Sequence, residues 1–174
     1  MNNSDNHISY IQYVDLVKIV KMTDSEIPVE VEFPVEAFSD NSLNFSSPVR
    51  LLGKIINLSG MIRIEAILNF SVEHSCDRCL TSFTNHYEIP LSDEIALVNS
   101  EREIDEYIPY SNNRVDLSEA IYKCIFSEMG IKNICKPDCK GLCGKCGADL
   151  NNGICNCSDE DIDPRLLKLK ELLK

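Results

Sequence analysis

Hydrophobic and polar residues alternate with a period of two over much of the first half of the chain. Val29, Val31, Phe33 and Val35 alternate with Glu30, Glu32 and Pro34, and residues 49–58 are mostly apolar around Gly53 before a turn at Leu58-Ser59-Gly60. The longest run follows, with Ile62, Ile64, Ala66, Leu68, Phe70 and Val72 set against Arg63, Glu65, Asn69, Ser71 and Glu73. Only Ile67 interrupts its polar side. Successive side chains of a strand point to opposite faces, so this pattern predicts a strand with one buried and one wet face. Phe83, Tyr87, Ile89 and Leu91 form a second run beyond the short loop His74–Leu80, and the two read as neighbouring antiparallel strands. The opening segment, Ile8 to Val20, is too apolar for a tail and fits strand and helix equally.

The period then changes. Residues 92–107 read as an acidic connector, with Asp93, Glu94, Glu101, Glu103, Asp105 and Glu106 against a single Arg102. Asp116-Leu117-Ser118-Glu119 looks like a capped helix start, because a carboxylate there can accept from the unpaired first-turn amides. Leu117, Ile121, Cys124, Ile125 and Met129 lie on one helical stripe, with Cys124 expected in the core and Gly130 as a stop. Asp163-Pro164 opens a last short helix, capped by Asp163, whose apolar face is Leu166, Leu169, Leu172 and Leu173. The reading is an α+β chain in three parts. Residues 1–110 form an antiparallel β-rich domain, a sheet or open barrel; 111–130 a connecting helix; and 131–174 a small C-terminal cysteine zinc module with its terminal helix.

Composition narrows the function classes. Hydrophobic residues make up 44% and charged residues 26% of 174, which is ordinary for a globular protein. No apolar stretch is long enough to cross a bilayer, and the N-terminus has neither the basic nor the apolar region of a signal peptide, so a cytoplasmic, reducing location is expected. The net charge of −11 is uneven. Residues 1–129 hold nine Lys/Arg against 21 Asp/Glu, whereas 130–174 hold eight against seven. The larger part therefore repels a phosphate backbone, which disfavours a general RNA-binding platform. The acidic run reads either as a solvated face or as a docking surface for a basic partner such as a ribosomal protein. Lys132, Lys136, Lys140 and Lys145 read either as an RNA contact or as plain solvated residues.

Nine cysteines in such a chain point to metal or redox chemistry rather than to disulfides. Six of them, Cys135, Cys139, Cys143, Cys146, Cys155 and Cys157, fall within 23 residues. In Cys143-Gly144-Lys145-Cys146-Gly147 the two-residue spacer lets both sulfurs face one point, as a tetrahedral zinc requires. Either Cys135/Cys139 or Cys155/Cys157, or a mixed set containing Cys139, can close the tetrahedron. Four ligands suffice for one zinc, so six thiols leave spares. A segment rich in Gly, Asn, Asp and Lys has little apolar core, so the ion is expected to be structural and to supply much of the folding free energy. Cys76-Asp77-Arg78-Cys79 has several readings. It is a redox dithiol with Arg78 favouring the thiolate, a donor of ligands to the tail's metal, half of a separate site, or a tight loop with partly buried thiols. No phosphate-binding loop, Ser/His/Asp grouping or basic aromatic platform is present, so no catalytic residue, small-molecule substrate or organic cofactor is expected.

The order of these motifs is familiar. Cys76-Asp77-Arg78-Cys79-Leu80, Asp116-Leu117 at a helix start, the block Cys139-Lys-Gly-Leu-Cys143-Gly-Lys-Cys146-Gly-Ala-Asp-Leu-Asn151, and Asp163-Pro164-Arg165 before a Leu-rich end resemble the YceD family, the large ribosomal RNA subunit accumulation proteins of bacteria and plastids. The likeness runs from about residue 47 onward. It implies a role in the processing, protection or assembly of large-subunit 23S rRNA, with a ribosomal protein or the rRNA precursor as partner. The family's genes often sit beside that of a small zinc-ribbon ribosomal protein, and some members lack the tail cysteines, so the zinc module would tune rather than perform the shared function. The resemblance carries over no catalytic residue. The expectation is a non-enzymatic ribosome-biogenesis factor of undetermined oligomeric state; the competing class is a thiol-redox or zinc-handling protein acting through Cys76 and Cys79.

Overall fold

A computed structural model describes residues 12–38, 43–98, 106–130 and 132–157. The chain divides into two compact units. The first takes residues 1–74 and 82–132, and the second takes 75–81 together with 133–174.

The described part of the first unit is built on eight strands and two helices: β1 (Tyr13–Asp15), α1 (Val17–Lys21), β2 (Ser25–Phe33), β3 (Asn44–Phe45), β4 (Val49–Leu58), β5 (Met61–Ser75), β6 (Ser82–Leu97), β7 (Ile108–Ser111), β8 (Arg114–Asp116) and α2 (Ser118–Glu128). A 3-10 turn, Val35–Phe38, follows β2 and buries Phe38. Val35 thus belongs to this turn and not to the strand. One sheet runs in the order β1-β8-β7-β6-β5-β4-β2, with β3 beside the far end of β5. Its two outer strands come close, since Gln12 Nε2 donates to the Glu32 carbonyl at 3.2 Å, so the sheet is nearly closed.

The alternating pattern is what sets the register. Leu51 lies opposite Leu68 and Ile55 opposite Ile64 on β4 and β5, while Val31 faces Leu51 and Phe33 faces Val49 on β2 and β4. All of these side chains are buried, whereas their neighbours in sequence are mostly exposed. Sliding either pairing by one residue would turn the whole apolar set toward water, which is why one arrangement is selected. Contacts from β5 to β6 step in opposite directions, Ser71 to His86 and His74 to Phe83, as expected for antiparallel neighbours.

Two observations depart from the sequence expectations, and a third resolves a choice they left open. Residues 92–97 are not part of a connector: Leu91 and Ile95 continue the buried side of β6 to Leu97. There β6 pairs with β7 in parallel, Ile95 opposite Ile108, so the sheet is antiparallel with one parallel join. The opening segment supplies both alternatives, a short strand and then a short helix that buries Ile19. The expected terminal helix at Asp163–Leu173 lies outside the described residues.

Aromatic rings tie the core together across distant positions. Phe38 lies 6.0 Å from Phe33 and 5.0 Å from Phe45, Phe45 lies 5.6 Å from Phe70, and Phe70 stacks on Tyr87 at 5.1 Å. Each such pair adds about 0.5–1.5 kcal/mol to the area it buries. On α2, Leu117, Ile121 and Ile125 are fully buried, as the helical stripe predicts, and Asp116 Oδ1 accepts the Ser118 amide at 2.9 Å. Cys124 is only partly buried, and burial pushes its thiol up, with Glu128 and Asp93 adding to the shift. The buried Asn57 donates to the Ile19 carbonyl at 2.7 Å and accepts from Gly60 at 2.8 Å, so its polar atoms are satisfied where α1 meets the β4–β5 turn.

Candidate functional site

The second unit gathers eight of the nine cysteines into two groups of four: Cys76, Cys79, Cys135 and Cys139, and Cys143, Cys146, Cys155 and Cys157. Within each group the sulfurs all lie within 4.8 Å of one another. Cys143 and Cys146 are therefore completed by Cys155 and Cys157, one of the pairings that spacing left open. Cys135 and Cys139 are completed by the Cys76/Cys79 loop, so the six tail thiols leave no spares.

Both CxxC turns have the same backbone. Leu80 donates its amide to the Cys76 carbonyl at 2.8 Å, and Gly147 donates to the Cys143 carbonyl at 2.9 Å. The residue after each second cysteine is left-handed, with φ of 60° at Leu80 and 73° at Gly147. In both turns that bend comes directly after the amides that reach the first sulfur, those of Arg78 and Cys79 at Cys76 and of Lys145 and Cys146 at Cys143. Glycine adopts it without strain, whereas Leu80 pays a steric penalty of about 1–2 kcal/mol.

The first group is cross-braced. The Asp77 amide donates to the Asn133 carbonyl and the Asn133 amide to Asp77 Oδ2, both at 2.8 Å. Leu142 donates to the Arg78 carbonyl at 2.9 Å, and Arg78 Nη1 donates to the Cys139 carbonyl at 3.0 Å. The guanidinium of Arg78 thus holds a backbone turn. Gly141 sits against this loop with φ of 74°, where a Cβ would come within 2.9 Å of the Arg78 carbonyl.

The spacing fits a metal. A tetrahedral ion with metal–sulfur bonds of about 2.3 Å holds its sulfurs about 3.8 Å apart. Cys76 and Cys139 are separated by 3.8 Å, and Cys79 and Cys135 by 3.6 Å. A disulfide needs about 2.05 Å, and all nine cysteines are free. The thiols within each group also differ in how readily they ionise. The Cys135 amide, donating at 3.4 Å, leads in lowering Cys76 to about 6, and the amides of Cys146 and Lys145 lower Cys143 to about 6. Burial and then the neighbouring thiols push Cys135 up to about 12; contact with Cys146 and then burial do the same for Cys157. Thiolates this close repel, so full ionisation of either group calls for a cation.

A groove of about 510 Å³ lies on the first unit between α2 and strands β6 and β7. Leu91 and Ile108 belong to its apolar lining, and Asp93, Glu106, Asp116 and Glu119 line it with carboxylates. Lys123, which also lines it, is paired with Glu119 at 3.1 Å. The acidic run and the capped helix start supply its carboxylates, but nothing in the sequence showed that the four separate stretches lining it meet. Among the described residues no helix is long and apolar enough to cross a membrane.

Comparisons with known proteins agree with the motif order. The chain is 32% identical over 102 residues to an uncharacterized protein of Mycobacterium tuberculosis, covering 56% of this chain and 49% of that one. It is 25% identical over 148 residues to the chloroplastic large ribosomal RNA subunit accumulation protein YCED homolog 1 of Arabidopsis thaliana, covering 67% of this chain and 46% of that one. A homologue of the same name from Zea mays is 35% identical over 57 residues, 32% of this chain and 20% of that one. The chain spans about half the length of the first two of these relatives. No solved structure matches it significantly. Residues 64–173 match the family described as large ribosomal RNA subunit accumulation protein YceD, and with more than half of its length so matched the chain belongs to that family.

Proposed function

We propose that this protein is a non-enzymatic, cytoplasmic factor that supports accumulation of large-subunit 23S rRNA by binding a basic ribosomal protein, with structural zinc in both cysteine groups. The family supports the rRNA role. The observation that carries the mode of action is the acid-lined groove with its apolar floor. Such a surface suits a Lys- or Arg-bearing protein segment, whose aliphatic stems cover the floor while the charged ends meet the rim. It repels RNA, so the protein partner is the first assignment. Direct contact with the rRNA precursor would fall to Lys132, Lys136, Lys140 and Lys145, all exposed on or beside the cysteine unit. Zinc is assigned because four thiolates at tetrahedral spacing are its usual structural set, and because these groups have no open position for chemistry.

The test is the ratio of large- to small-subunit rRNA in cells depleted of the protein and complemented with variants. Wild type should restore the large-subunit species, whereas the combined Asp93→Lys, Glu106→Lys and Glu119→Lys variant should not, although its circular dichroism stays native. Full restoration by that variant would discard the groove. An unchanged ratio on depletion would discard the rRNA role itself. Failure of a Lys140→Glu/Lys145→Glu variant alone would move the contact to the cysteine unit.

A further inference from the structure

The two cysteine groups share a turn geometry but not an environment. In the first, Cys76 is 0%, Cys79 7% and Cys139 4% exposed, and only Cys135 is half-buried. In the second, none of the four is buried, and Cys146 is exposed. Both groups receive amide hydrogen bonds on sulfur, from Cys135 to Cys76 at 3.4 Å in the first and from Lys145 and Cys146 to Cys143 in the second, but the first adds a side-chain donor, Asn151 Nδ2 to Cys139 at 3.5 Å. The second is closed by the stretch 153–157, which has no regular structure and carries Ile154 at 97% exposure.

Ligand exchange at a thiolate-bound metal proceeds stepwise, as an incoming donor approaches the ion and displaces one cysteine after another. Burial blocks that approach, and hydrogen bonds to sulfur hold each ligand in place. We propose that the two groups are unequal metal sites, with Cys143, Cys146, Cys155 and Cys157 forming an exchangeable site for a soft divalent ion and Cys76, Cys79, Cys135 and Cys139 a retained one. This rests on the metal reading of both groups given above.

One residue joins them. Asn151 lies in the loop between Cys146 and Cys155, yet its side chain donates to Cys139 of the other group. Its Oδ1 accepts the Lys140 amide at 3.0 Å, and its own amide and Nδ2 donate to Asp149 Oδ1 at 2.9 and 2.7 Å. Leu142 bridges to Asp149, Leu150 donates to the Gly141 carbonyl at 2.9 Å and Cys143 to the Ala148 carbonyl at 2.8 Å, so this loop is tied to the segment 140–143 that joins the two groups and is anchored at both ends by Cys146 and Cys155 of the exposed one. Emptying that site frees the loop, and Asn151 then loses its hold on Cys139. Asn151 is a positioning residue through which metal loss at the exposed site loosens the buried one.

The experiment uses the full chain loaded with zinc, challenged with EDTA and N-ethylmaleimide, and read by native mass spectrometry and peptide mapping of the alkylated thiols. The expected course is a two-zinc species giving way to a persistent one-zinc species. Labelling is then confined at first to Cys143, Cys146, Cys155 and Cys157, at least about tenfold faster than at the other four. Cys143→Ser should bind one zinc. Asn151→Asp keeps the acceptor for Lys140 but loses both Nδ2 donations, to Cys139 and to Asp149, and should release the second zinc about tenfold faster. Loss of both ions together, or labelling that begins at Cys76 or Cys79, would overturn the proposal. An unaltered second release in Asn151→Asp would overturn the coupling. A chain that takes up no zinc would overturn the metal reading itself, an outcome distinct from equal release at two filled sites.

Discussion

Replacing Gly141 by alanine should weaken metal binding at the buried cysteine group far more than the loss of a few atoms of space would suggest. Two costs add. The backbone there has φ of 74°, a region an L side chain enters at about 1–2 kcal/mol. The new Cβ would also stand 2.9 Å from the Arg78 carbonyl, which must shift, and that carbonyl accepts the Leu142 amide. Losing this hydrogen bond costs about 1 kcal/mol. The sum, about 2–3 kcal/mol, corresponds to about 30- to 150-fold weaker zinc in chelator competition on the full chain. Two neighbouring glycines separate the terms. Gly147 is left-handed but open, so alanine there should cost only the conformational part, felt at the exposed group. Gly144 is open and lacks a positive φ, so Gly144→Ala should stay within about 0.5 kcal/mol of wild type. Amide exchange of Leu142 gives a second readout and should accelerate only in Gly141→Ala. If Gly141→Ala and Gly144→Ala behaved alike in both measurements, the steric argument would be wrong.

Leu80→Gly should leave metal binding intact or tighten it by up to about 1 kcal/mol, because the exposed leucine is held at φ of 60°; a large loss would mean that its side chain serves a contact. Asp116→Ala should cost about 1 kcal/mol in urea denaturation by removing the acceptor at the start of α2, and no change would deny the carboxylate its capping role. Leu68→Ala should cost about 2–5 kcal/mol in the same assay, since Leu68 is fully buried opposite Leu51; under 1 kcal/mol would place it outside the core.

Legibility followed the range of the interactions. Strand β5 was readable because Ile62 to Val72 alternate with only Ile67 out of step and a turn precedes them, and α2 because Leu117, Ile121 and Ile125 share a face next to a capping carboxylate. The parallel join of β6 to β7 was not. Four residues of β7 carry too little periodicity, and the acidic Asp93 and Glu94 hide the strand that continues through them. Nor could spacing show the aromatic path from Phe33 to Tyr87, whose members come from five separate elements. Among the cysteines, the local turn of Cys143 and Cys146 was plain. Which thiols complete each group depends on contacts between residues 56 and 63 positions apart, Cys79 with Cys135 and Cys76 with Cys139, which no local spacing shows. The left-handed Leu80 was missed because only a glycine announces such a bend in sequence.

The loop that carries Cys76 and Cys79 has a consequence for how the protein is made. Its partner Cys135 lies 56 residues downstream of Cys79. At a synthesis rate of about 5–20 residues per second, the loop waits roughly 3 to 11 seconds after emerging before that partner exists. During that interval two thiols stand at the tip of a newly paired hairpin with half a coordination shell. Any ion they pick up can be held only weakly until translation delivers the rest, so on the metal reading proposed above the unit closes only once Cys135 and Cys139 have emerged.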